Sequence, residues 1–414
     1  MRPVAGAVAS VTGMDSTSDG RDTARADVAT YAVVATAARS ATEALGPAIL
    51  LSALAAGRAT QDGAFVLAAF TGFAAVSGPL VGALLDRVAR PGRVIGTALV
   101  VLSVVVATLA VGVPQAPLAV LGLVAAVGGF AHPALTGGLT SQLPSMVHGP
   151  RLDRVYGIDA ATYNVGAIVG PPLAAAALVL GHSGPMVFTL LLLLLALPLV
   201  PRIPFATREP TTVRPSFARD VSTGFRGLVS TPHLAYASVL TTVGFAGQAA
   251  FLVTVPLLAR AQTGSLAASG WVFGVAAAGG LLSTLVVARR PLRDTDRALT
   301  VATLAIGASF AILAVSPTFA VTLLAACLYG VVEGPLLTAL FRVRTREAAT
   351  EVRSQVFTTG ASLRTSVFAA ATAVFGAAIG LGVTPLLLLG ASAQVLAVAA
   401  ATWSARRVAA SAGV

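Results

Sequence analysis

Apolar runs of about 20 residues, the length that spans the hydrocarbon core of a bilayer, recur along this 414-residue chain. Twelve segments fit that ruler: residues 29–56, 63–85, 93–113, 117–139, 155–180, 184–200, 234–258, 268–288, 298–315, 318–341, 355–380 and 384–404. The only long interior linker, 201–233, is rich in Pro, Arg and Thr and separates the sixth span from the seventh. The expected fold is an all-α integral membrane protein: a six-helix bundle over 28–200, a cytoplasmic linker over 201–233, and a second six-helix bundle over 234–404. Residues 1–27 are polar and turn-rich and read as a disordered cytoplasmic tail, with a second tail at 405–414. Residues 1–13 imitate a signal peptide only faintly, and Met14 could equally be the start.

Composition excludes a soluble globule. Only 10% of residues are charged against 56% hydrophobic, and the mean hydropathy is +0.87, which leaves too little polar surface to cover a soluble core. The net charge of +11 could suggest nucleic acid. Every basic residue is arginine, however, clustered in short loops without interleaved aromatics, so no nucleic-acid partner is expected. With both termini inside, 23 of the 27 arginines fall on the cytoplasmic side. Arg58 and Arg260 fall on the far side, while Arg39 and Arg364 lie within spans. The expected placement is a multi-pass protein of the plasma (inner) membrane with cytoplasmic termini. Absent lysine and a bias to Ala, Arg, Gly and Val point to a high-GC bacterium.

The single cysteine, Cys327, cannot form an internal disulfide or a thiolate metal centre, and the four histidines are scattered. No metal, cofactor or enzymatic activity is expected. The lipid bilayer is the expected environment, and a monomer the expected state. A faint internal repeat places Gly128, Pro133, Leu135 and Thr136 over Gly330, Pro335, Leu337 and Thr338, an offset of 202 positions, as for two halves related by an axis along the membrane normal.

Two motifs carry more specific information. At the end of the second span and into the loop that follows stands Gly82-Ala-Leu-Leu-Asp86-Arg87-Val-Ala-Arg90-Pro-Gly-Arg93, a small residue followed by charges that can lock neighbouring helix ends. In the fifth span Gly157, Gly166, Gly170-Pro171 and Ala174 form a face of small residues suited to close helix packing. The first motif resembles the signature of the major facilitator superfamily in the loop between helices 2 and 3, with Ala89 and Pro91 departing from it. The second resembles the glycine-proline motif of proton-coupled antiporters in that superfamily, with Ala174 in place of the final glycine. The resemblance covers essentially the whole chain. It implies a secondary transporter working by alternating access, and the fifth-span motif tilts it toward proton-coupled drug or small-molecule efflux. An arginine found within helix 4 of many such antiporters is absent; Gly128, Gly129 and His132 stand there instead.

Charges inside a membrane are costly and usually functional. Five lie within the spans: Arg39, Glu43, Asp159, Glu333 and Arg364. Arg39 and Glu43 share a helix face four residues apart. Glu43 lies on the order of 20 Å deep, Asp159 well under about 10 Å, and Glu333 and Arg364 at roughly similar depths of ~12–16 Å, close enough for an ion pair. Asp159 is read first as a static structural charge. Glu333 and Glu43 are the candidate proton carriers, in a cavity lined by spans 1, 4, 7 and 10. His132, Tyr163, Asn164, Gln248, Phe251 and Tyr329 are the candidate contacts for a small amphipathic substrate. The alternatives are a proton-coupled importer of a sugar or organic anion, and a non-transporting receptor or scaffold.

Overall fold

A computed structural model describes residues 16–147, 151–205, 217–289, 292–349 and 352–411. Twelve long helices account for most of them. The first six are α1 (Ser16–Ala55), α2 (Thr60–Arg87), α3 (Pro91–Gly112), α4 (Leu118–Leu135), α5 (Arg151–Ala176) and α6 (Gly184–Ala196). The second six are α7 (Pro232–Thr263), α8 (Ser269–Arg289), α9 (Thr295–Ala314), α10 (Phe319–Glu347), α11 (Arg353–Ala377) and α12 (Val383–Ser411). Eleven spans among the described residues are long and apolar enough to cross a bilayer. The exception is α1, whose apolar run is interrupted by Arg39, Glu43 and several Ser and Thr side chains.

The helix ends follow from local chemistry. Thr231, before Pro232, accepts the Leu234 N–H at 3.2 Å, and Asp294 accepts the Arg297 N–H at 3.0 Å, each occupying a donor the first turn leaves open. Gly264 closes α7 in the left-handed region at φ +77°, where a side chain would be strained. Within α4, Pro133 removes a donor, and the helix ends at Leu135. The chain then continues as two single turns, Gly137–Thr140 and Leu143–Met146.

Three segments differ from expectation. Residues 16–27, expected as tail, form the first turns of α1, because the sequence from Arg21 to Tyr31 contains no helix breaker; residues 1–15 lie outside the described residues. The linker contains a helix, Phe217–Leu228, whose Leu228 is buried and whose Gly224 and Gly227 back onto Thr359 and Val356 of α11. Positions 206–216 of that linker lie outside the described residues. Finally, α12 runs on to Ser411 through the residues expected as a C-terminal tail.

Apolar side chains gather into two cores, one within α1–α6 and one within α7–α12. In the first, α1 packs on α5 and α6, and α4 on α2 and α3; in the second, α7 packs on α11 and α12, and α10 on α8 and α9. The two bundles meet chiefly along α2 with α11 and α5 with α8. At the face opposite the termini these seams are tight. Gly376 of α11 backs directly onto Ala64 of α2, and a Cβ at Gly270 of α8 would lie 3.0 Å from the Pro172 carbonyl oxygen of α5. Small residues let the backbones approach that closely.

Candidate transport cavity

Four of the residues that bound the cavity belong to helices on opposite sides of the molecule. Glu43 comes from α1 and His132 from α4, while Gln248 comes from α7 and Glu333 from α10. They surround a cavity of about 410 Å³ between the bundles, a size suited to a small ligand. Proline and glycine shape its wall. Gly46 and Pro47 follow Glu43 on α1, and Pro171 contributes from α5.

The rest of the wall is largely aromatic. Phe251 lies 4.6 Å from Tyr329, 6.0 Å from Phe273 and 5.9 Å from Phe310, centroid to centroid. Tyr329 donates to Gln248 Oε1 at 3.2 Å, which joins α10 to α7. Phe70 meets His132 edge-on at 5.4 Å, and Phe245 meets Phe368 at 4.8 Å. Glu43 is open to the cavity, whereas Glu333 is half-buried. Both carboxyl side chains contribute to the wall of the same cavity.

Of the six expected contacts, His132, Gln248, Phe251 and Tyr329 line this cavity. Tyr163 and Asn164 are not in its wall: Tyr163 lies under the Arg39 guanidinium, 3.6 Å from ring centroid to Cζ, and Asn164 is exposed. The wall also holds Thr42, Phe70, Phe245, Phe273 and Phe368, none of which was expected. Phe245 and Gln248 could have been found together, because they are three residues apart and share one face of α7.

The remaining intramembrane charges take other places. Arg39 does not pair with Glu43. Its Nη2 lies 2.7 Å from Asp159 Oδ1 across the α1–α5 interface, and both side chains are buried. Arg39 Nη1 donates to the Asp159 carbonyl at 2.7 Å and to Thr162, and Nη2 to Thr140 Oγ1 at 2.8 Å. Thr140 in turn donates to Asp159 Oδ2 at 3.0 Å, and the Tyr31 hydroxyl donates to Oδ1. Asp159 is therefore enclosed by neighbours rather than wetted by its shallow depth.

Arg364 does not form the expected ion pair with Glu333. Among the described residues no contact within 4.0 Å joins them, and the guanidinium sits 4.6 Å over the Phe245 ring. The two charges still interact at longer range.

The two motifs are placed differently. A Cβ at Gly166 would lie 3.0 Å from the Arg39 carbonyl carbon, and one at Gly170 would lie 2.5 Å from the Ser40 carbonyl oxygen, so this face of α5 is the contact surface for α1. Gly157 lies on the same helix. A Cβ at Gly82 would meet nothing within 4 Å among the described residues beyond its own helix, and Arg90 and Arg93 are exposed; the side chains of Asp86 and Arg87 lie outside the described residues.

Solved transporters share this architecture. The chain superposes on a variant of the peptide transporter POT with a TM-score of 0.73 at 15% identity, covering 92% of this chain and 94% of that one. For a variant of the nucleoside transporter NupG the TM-score is 0.73 at 13% identity, over 92% and 99%. For a POT family transporter in complex with 5-aminolevulinic acid it is 0.73 at 11%, over 92% and 96%. At these identities the likeness is one of fold. A comparison with curated proteins gives no significant match. The family model for the Major Facilitator Superfamily matches residues 29–383, and the chain is a member of that superfamily of transporters.

Proposed function

We propose that the protein exports small cationic amphipathic molecules in exchange for protons, by alternating access around the cavity between its bundles. The observation that carries this reading is the pair Glu43 and Glu333, one from each bundle, facing one aromatic cavity. Two carboxylates in an apolar enclosure repel each other and each loses hydration, so a cation must accompany them. A proton and a cationic substrate therefore compete for the same charges, and that competition is the exchange.

The two acids divide the work by position. Glu43, open to the cavity, is the anchor for the cation, which the rings of Phe245, Phe251 and Phe273 can flank with their electron-rich faces. Glu333, half-buried near Arg364, is the proton carrier: the guanidinium offsets its charge whenever the proton leaves. Asp86 and Arg87, the last two residues of α2, are the proposed cytoplasmic gate. The α5 motif supports the direction of transport. An importer would use the same cavity, and the peptide and nucleoside transporters of similar fold keep that alternative specific.

The substrate class is tested by binding to the purified protein. Glu43→Gln should weaken a lipophilic phosphonium cation about tenfold or more, as expected for loss of one charged contact. A neutral amphipath of similar aromatic content should bind as before. Equal losses for both ligands, or none, would remove Glu43 as the anchor. Direction is read in inside-out vesicles with an acidic lumen, where an exporter accumulates the phosphonium and an importer does not.

A further inference from the structure

Along the outer surface of α2, α3 and α4 runs an apolar groove of about 660 Å³, lined by Phe73 and Leu84 of α2, Val101 of α3, and Leu123 and Val127 of α4. Arg93 is its one charged residue. A second hollow of about 770 Å³ begins at the same Arg93 and reaches Arg90 and the segment after α6. Both arginines are exposed, and among the described residues neither has an ion-pair partner.

The two hollows share Arg93 and Thr97 in their walls, and the length of the first bears on what can fill it. From Phe73 to Leu84 on α2 the groove is roughly 16 Å long at 1.5 Å per residue. That is about half of the ~30 Å hydrocarbon thickness of a bilayer, the depth of one leaflet. The basic end lies at the loop between α2 and α3, on the same side of the molecule as the termini. A ligand that fills it needs an apolar tail one leaflet long and an anionic head.

We propose that this groove binds an anionic phospholipid of the terminus-side leaflet, its phosphate against Arg93 and Arg90 and one acyl chain along α2, α3 and α4. Because α2 also forms the seam with α11 between the bundles, lipid held here bears on a helix that alternating access must move.

Native mass spectrometry of the full-length protein tests this, with phosphatidylglycerol and phosphatidylcholine in direct competition. The wild type should retain phosphatidylglycerol preferentially. Each arginine replaced by glutamine should lower that preference about fivefold, the contribution expected of one basic residue at a lipid surface. Val127→Trp, which fills the groove from its open side, should lower occupancy by both lipids. Unchanged melting in phosphatidylcholine micelles verifies that each variant is folded. Equal retention of the two lipids by the wild type, or an undiminished preference in Arg90→Gln/Arg93→Gln, would overturn the proposal. Inorganic phosphate is the remaining probe: if millimolar phosphate displaces phosphatidylglycerol completely, the arginines form a free-anion site and the lipid assignment fails.

Discussion

Arg39 of α1 and Asp159 of α5 form a buried ion pair, Nη2 to Oδ1 at 2.7 Å, inside a cage of Tyr31, Thr140, Thr162 and Tyr163. Removing one partner leaves the other charge buried without compensation, at a cost of about 3–5 kcal/mol. Arg39→Met should therefore lower the melting temperature of the purified protein strongly. The double variant Arg39→Met/Asp159→Leu should recover part of that loss. If the double variant melts as low as the single, the cage depends on more than the ion pair.

That pair also shows where the sequence stopped being informative. Spacing along one helix made Arg39 and Glu43 neighbours, and they do share α1. Nothing local reports that α5 brings Asp159 to the same guanidinium, because that contact depends on how two helices 120 residues apart cross. The spans, by contrast, were legible, since bilayer thickness imposes a length on apolar runs that tertiary contacts cannot disguise. The cavity was half legible. His132, Gln248, Phe251 and Tyr329 stood out as polar or aromatic residues within spans, but Phe245, Phe273 and Phe368 look in sequence like any lipid-facing phenylalanine. The helix at Phe217–Leu228 was hidden by the Pro- and Arg-rich sequence before it.

The two motifs give a stability contrast between glycines that pack differently. Gly170→Ala puts a methyl group against the Ser40 carbonyl and should destabilise by about 1–3 kcal/mol, the usual cost of overpacking. Gly82→Ala, inside α2, enters open space and gains helix propensity, so it should hold or raise the melting temperature. Thermal unfolding of the two variants in one detergent checks both, and equal melting would mean that α1 and α5 yield to an added methyl.

Membrane orientation is read by labelling. In a Cys327→Ala background, Ser265→Cys, on the loop opposite the termini, should react with an impermeant maleimide in intact cells. Ser411→Cys, near the end of α12, should react only after permeabilisation. The reverse pattern would invert the arginine-based topology.

Proton coupling is the role proposed for Glu333, and vesicle transport by Glu333→Gln reads that role. Glutamine keeps the size and hydrogen-bonding capacity of the side chain but cannot carry the proton, and the proposed substrate anchor Glu43 is left in place. Accumulation driven by a proton gradient should be lost, while equilibrium exchange of substrate across the same vesicles should persist at equal protein density. Full gradient-driven accumulation by Glu333→Gln would contradict that role and move the proton to another group.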